Sequence, residues 1–177
     1  GLMDGSNIQP DDCLVGFPSS GLHTNGFSLV RSVFDIDDNP SVLFRRFDEL
    51  RHTLGEELLI RHRCYHPMLE PVLKSFKGLA HITGGGLPGK MPAILPEHLA
   101  AEFRPETWTA PAIFGIIQRE GNISTDEMYR VFNMGLGMVA VCAEEALEAI
   151  TDKIPDARVV GRIIQRDDGS QVAILDG

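Results

Sequence analysis

What this 177-residue sequence lacks narrows it first. It has no run of lysine or arginine, and 16 basic residues against 25 acidic ones leave a net charge of −9. Surfaces that neutralise nucleic-acid phosphates or anionic lipid carry the opposite balance, so neither partner is expected. Any phosphate it binds must be held by local donors. No apolar run approaches the roughly 18 to 20 residues of a membrane span, and the opening GLMDGSNIQPDD has no basic or apolar segment of the secretory kind. Cysteine is scarce: Cys13, Cys64 and Cys142 are widely spaced with no CxxC pair, which excludes a disulfide framework and a cysteine zinc site and fits a reducing cytoplasm. An initial Met is also lacking and a strand-like segment arrives within a dozen residues, so a part of something longer is expected.

What is present alternates between strand and helix patterns. Asp11–Pro18 is a short apolar run between turn formers, a buried strand by its pattern. Phe27, Val30 and Phe34 follow at helical spacing, with Asn25 or Thr24 as the candidate N-cap. VLFRRFDELR suggests a further short helix, and prolines 67 and 71 break the pattern that follows, placing a turn near residues 60–66. GLAHIT reads as a strand running into three glycines and a proline-bounded helix; AAEF and GLGMVAVCA read as strands, and PAIFGIIQRE and EEALEAI as helices. Ser124 and Glu127 have the spacing of a capping box. ARVVGRIIQ and QVAIL, separated by RDDGS, are expected to pair as a hairpin. These elements fit one domain over residues 1–177 with a mixed sheet flanked by helices, and its length suffices to bury a sizeable core.

Three glycine-rich loops are the places for chemistry. Gly21-Leu-His-Thr-Asn-Gly26 joins strand to helix, where backbone N–H groups can face an anion. It is neither a Walker A loop, lacking the Lys-Ser/Thr, nor a GxGxxG turn. His23 is suited to proton transfer near neutral pH and Asn25 to orienting an amide or carbonyl, although Asn25 reads equally as a helix cap. Thr83-Gly84-Gly85-Gly86 is a second cradle or a tight turn, and Asn133 with Gly135 and Gly137 a third or a helix C-cap. HRCYH sets His62 and His66 four apart around Cys64, but Pro67 follows and no third ligand lies near in sequence, so no metal site is assigned.

The segments GFPSSGLHTNGFSLVR, LAHITGGGLPGKMPAILP and MYRVFNMGLGMV, in that order, resemble the carboxyl-terminal domain of the phosphoribosylformylglycinamidine cyclo-ligases, also called aminoimidazole ribonucleotide synthetases. The resemblance runs from Asp4 to about Leu175. It implies an α+β fold in a two-domain, homodimeric cytoplasmic enzyme of purine biosynthesis. The other domain, which this sequence does not include, would supply most of the ATP and Mg2+ site. The reaction it implies is phosphorylation of the formyl oxygen of formylglycinamidine ribonucleotide by ATP, then attack of the amidine nitrogen on that carbon, releasing phosphate. On this reading His23 and Asn25 are catalytic. Ser20, Gly21, Thr24, Gly26, Thr83, Gly84, Gly85 and Gly86 bind phosphoryl or substrate groups, with Asn133 reaching ligand. The sequence departs from the family where a Pro-Thr-Arg triplet is expected, since Arg61-His62-Arg63 stands there and only Arg63 matches. A non-catalytic binding or dimerisation module of the same fold is the alternative, as is another ATP-using relative such as a selenophosphate synthetase or thiamine-monophosphate kinase. SGLHTNG and HITGGG favour the cyclo-ligase.

Overall fold

The computed structural model describes residues 4–175. Its frame is a six-stranded sheet in the order β2-β4-β1-β5-β3-β6, with β1 Cys13–Pro18, β2 Gly78–His81, β3 Leu99–Phe103, β4 Leu136–Cys142, β5 Arg158–Gln165 and β6 Val172–Ile174. All neighbouring pairs are antiparallel except β3 and β6, so the sheet is mixed, as expected.

The expected closing hairpin is corrected. β5 and β6 do not pair; β3 lies between them, antiparallel to β5 and parallel to β6. RDDGS carries the chain past an intervening strand instead of turning it back. Nothing local in a Gly-bearing turn separates these outcomes, because the competing partner, β3, lies over fifty residues upstream.

Strand alternation divides the core. Leu14 of β1 with Leu136, Val139 and Val141 of β4 faces one cluster, and Val15 and Phe17 with Ala140 and Cys142 face the other. Over the first cluster lie helices α1 Phe27–Val33, α2 Leu54–Leu58, α4 Gly86–Lys90, α5 Ala112–Gly121 and α6 Thr125–Val131. Helices α3 His66–Leu69 and α7 Leu147–Lys153 cover the second. Helix α5 buries Ile113, Phe114, Ile116 and Ile117 and stops where Asn122 turns left-handed, at φ 48°. Helix α6 begins at Ser124, whose hydroxyl accepts from the Glu127 N–H at 3.3 Å, but the Glu127 carboxylate turns to Arg130, leaving half a capping box. The complete box is at Thr53 and Glu56, opening α2. VLFRRFDELR is not one helix: a 3-10 turn over Pro40–Phe44 leads to an isolated bridge between Arg46 and Thr53.

Candidate functional site

The first loop is set by backbone conformation. Gly26 is the residue before α1, at φ 81°, and no side chain caps that helix; a Cβ there would overlap the Phe132 ring. The expected cap by Asn25 or Thr24 is therefore corrected, and the Asn25 side chain is left for other partners. Its Oδ1 lies 3.4 Å from where a Cβ of Gly84 would stand, so the loops after β1 and β2 meet. Thr24, Asn25, Gly26, Gly84 and Gly85, with Ser28 and Arg130, line one open cleft of about 540 Å³. Five of the residues expected to bind or act thus share a wall.

Arg130 is the functional candidate that sequence reasoning missed. It stands on α6, exposed, with its guanidinium held by both Glu127 carboxylate oxygens at 2.7 and 2.8 Å. A helix-face arginine gives no signal in sequence; only the fold shows that α6 borders the loops.

The remaining expected residues stand behind the cleft. Asn133 is buried; its amide donates to the carbonyls of Gly21 and Leu22 at 2.9 and 3.3 Å and accepts from the Gly135 N–H at 2.9 Å. The first two contacts brace the first loop and the third closes the turn at Asn133 itself, so none is directed to the cleft. The Ser20 hydroxyl donates to the Arg61 carbonyl at 2.6 Å, and the Ser20 N–H donates to His23 Nε2 at 3.1 Å. Gly21 is buried inside the same turn, and Gly86 is buried against the Tyr129 carbonyl, which a Cβ would overlap. Thr83 closes its turn by accepting from the Gly86 N–H at 2.9 Å.

His23 is 6% exposed, holds a left-handed φ of 59°, and its Nδ1 has no partner. Burial, then the neighbouring His62 and His81 rings, push its pKa down to about 4, so the ring is neutral at pH 7. His62 stacks on it with ring centroids 4.0 Å apart, and His62 Nε2 lies 3.2 Å from His81 Nε2. Burial lowers the His81 pKa as well. The HRCYH segment is irregular, not helical, before His66, and the neighbours of His62 in the fold are His23 and His81, both distant in sequence. Tyr65, buried beside them, donates to the Pro18 carbonyl at 2.8 Å.

Residues 9–173 match the family described as AIR synthase related protein, C-terminal domain. The phosphoribosylformylglycinamidine cyclo-ligase of Caldicellulosiruptor bescii is 44% identical over 175 residues, which is 93% of this chain and 50% of that protein. That of Anaeromyxobacter sp. (strain Fw109-5) is 46% identical over 169 residues, 92% of this chain and 48% of its own. The chain spans about half the length of the curated relatives it matches. Among solved structures, the hydrogenase maturation protein HypE is similar with a TM-score of 0.59 at 12% identity, covering 96% of this chain and 51% of that one. Thiamine-monophosphate kinase from Stenotrophomonas maltophilia K279a is similar with a TM-score of 0.58 at 13% identity, covering 96% and 52%. Both share the fold.

Proposed function

The chain belongs to the AIR synthase related protein, C-terminal domain family, and from that membership we propose that it is the carboxyl-terminal half of an ATP-dependent cyclo-ligase making aminoimidazole ribonucleotide. Identity of 44% to a cyclo-ligase, against 12 and 13% to HypE and thiamine-monophosphate kinase, favours this over the other ATP-using relatives. The observation that carries the reading is the junction of the two glycine loops in one cleft with an arginine on its wall. Backbone N–H groups at Gly26, Gly84 and Gly85 offer hydrogen bonds to a phosphoryl oxygen, and Arg130 offers a charge-assisted one.

On this reading Thr24 and Asn25 meet the substrate, Asn25 orienting its amide or carbonyl oxygen. His23, a weak base at pH 7 because burial holds its pKa at about 4, accepts from the Ser20 N–H through Nε2 and shapes the turn that presents them. Positioning is the main contribution, because holding formyl carbon and amidine nitrogen in contact removes most of the entropic part of a cyclisation barrier. ATP would supply the phosphoryl group that makes the formyl oxygen a leaving group. Among the described residues no carboxylate lines the cleft, so Mg2+ does not fit there as an ion held by them. Its ligands belong to the other half of the protein, a domain that relatives of twice this length imply. A homodimer is part of the proposal; Phe44 and Leu59, 80% and 81% exposed, are the apolar groups it would cover.

The test is ATP-dependent formation of aminoimidazole ribonucleotide by the natural-length protein, with Asn25→Ala alongside. Turnover that falls at least about a hundredfold in the variant, with its fold intact, supports the reading. Absence of turnover in the wild-type protein ends it.

A further inference from the structure

The cluster behind the cleft does not follow from the cyclo-ligase reading. One ring nitrogen from each of His23, His62 and His81 lies within 4.8 Å of the others. They come from three separate segments: the loop after β1, the irregular stretch before α3, and the end of β2. We propose that these three histidines form a binding site for one divalent transition-metal ion of the zinc type.

Three features support it. The 3.2 Å between His62 Nε2 and His81 Nε2 is close to the separation, about 3.3 to 3.4 Å, of two imidazole nitrogens on one tetrahedral ion with metal–nitrogen bonds of about 2.0 to 2.1 Å. Their rings are tilted 58° to each other and are not stacked. His23 contributes a buried ring whose Nδ1 lacks any partner; ligation through it requires Nε2 to carry the proton and donate to the Ser20 hydroxyl, 3.1 Å away, in place of accepting from the Ser20 N–H. The third feature is their origin: three separate segments meet here, so the fold and not local spacing makes the cluster.

The chemistry selects the ion. All three ligands are neutral nitrogen donors, and the nearest charges acting on them are the cations Arg63 and Lys90. Such a set repels Mg2+ and Ca2+, which need anionic oxygen, and suits zinc, copper, nickel or cobalt. Three protein ligands leave a fourth position open, the ligand count of an exchangeable rather than a closed structural site. Loading requires one movement. His23 and His62 stack at an interplanar angle of 14°, and two parallel rings cannot both hold an ion in their planes, so the exposed His62 must turn off His23. The Ser20 hydroxyl, 3.1 Å from His23 Nε2 and anchored on the Arg61 carbonyl, fixes the ring that stays.

The inference stands apart from the cyclo-ligase reading, and its test reads metal binding rather than turnover. The natural-length protein, stripped with a chelator, is titrated with Co2+ and with Zn2+ by absorption and calorimetry. The expected result is one ion per chain, with cobalt d–d absorption in the visible and no sulfur charge-transfer band. His62→Ala and His81→Ala, both at exposed positions, should each weaken binding at least about tenfold, while Cys64→Ser and His66→Ala leave it unchanged. No stoichiometric uptake by the wild-type protein overturns the proposal. So does uptake that survives His62→Ala, or that is lost equally in Cys64→Ser or His66→Ala, which would move the ion to the HRCYH segment.

Discussion

The loops after β1 and β2 reach the same cleft by different means. Residues 19–26 are held by side chains: Asn133 bonds two of their carbonyls, and Ser20 ties His23 to the Arg61 carbonyl. Residues 83–86 are held by proximity, Gly86 lying directly against the Tyr129 carbonyl of α6. The first loop spends donors and acceptors on its own shape and presents side chains, Thr24 and Asn25, to the cleft. The second presents backbone alone. A loop braced by side chains fails by degrees when one is removed, whereas one braced by the absence of a Cβ fails abruptly.

The sharpest break in that contrast is Gly86→Ala. The added Cβ would overlap the Tyr129 carbonyl oxygen, and φ is 59°, so steric overlap and backbone strain add. A loss of about 4 kcal/mol is expected by urea unfolding. Two residues earlier, Gly84→Ala meets only Asn25 Oδ1, at 3.4 Å, and should change stability by less than about 1 kcal/mol while weakening phosphate binding in the cleft. Equal destabilisation by both substitutions would remove the claim that the second loop is held by proximity at Gly86.

Acid should loosen the first loop and spare the second, since no titratable side chain lies within residues 83–86. The groups around His23 are His62, His81, Arg63 and the Tyr65 phenol, none of which stabilises an added proton. Folding lowers its pKa from 6.5 to about 4, so the unfolded chain takes up the proton first. The stabilisation is complete above pH 6.5 and is lost as pH falls toward 4, by up to about 3 kcal/mol. With chelator present, thermal unfolding across that range should show the loss, and His23→Gln should flatten it. A variant that keeps the full acid dependence would assign it to other groups.

Asn133→Ala comes next. It strips a buried N–H and two buried carbonyls of their partners, for about 2 kcal/mol. The Trp108 indole donates to the Met134 carbonyl at 2.9 Å beside this brace, and it is the chain's single tryptophan, so its fluorescence reports the loosened loop. An emission spectrum identical to wild type would show that Asn133 does not govern that region.

Local pattern carried much of this architecture. Strands β1 to β4, helix α5 and the start of α6 were legible because each buries a periodic apolar face and is bounded by turn formers. The partner of β6 was not, because strand pairing across seventy residues leaves no local trace. The two glycine loops were legible as candidate cradles, and the sharing of one cleft was not. His62 was paired in sequence with His66, four positions away, and in the fold with His23 and His81, which lie 39 and 19 positions away. Spacing finds clusters that share a helix; this cluster shares only the end of a sheet.

Arg130→Ala should have the smallest effect on stability and the most selective effect on function. The side chain is exposed and its ion pair with Glu127 joins neighbouring turns of one helix, a contact that contributes little where water screens it. The melting temperature should stay where it is. In the cleft the guanidinium is the single cation among the described lining residues, so affinity for a phosphate-bearing ligand should fall about tenfold, and its dependence on salt should weaken. Glu127→Gln provides the opposite perturbation: it releases the guanidinium from its carboxylate without moving α6, and should leave phosphate affinity equal or raised. If both substitutions weaken binding alike, Arg130 acts by holding the helix face in place. If only the first does, the charge itself meets the ligand, and the cleft joins two glycine loops of unlike construction under one cation.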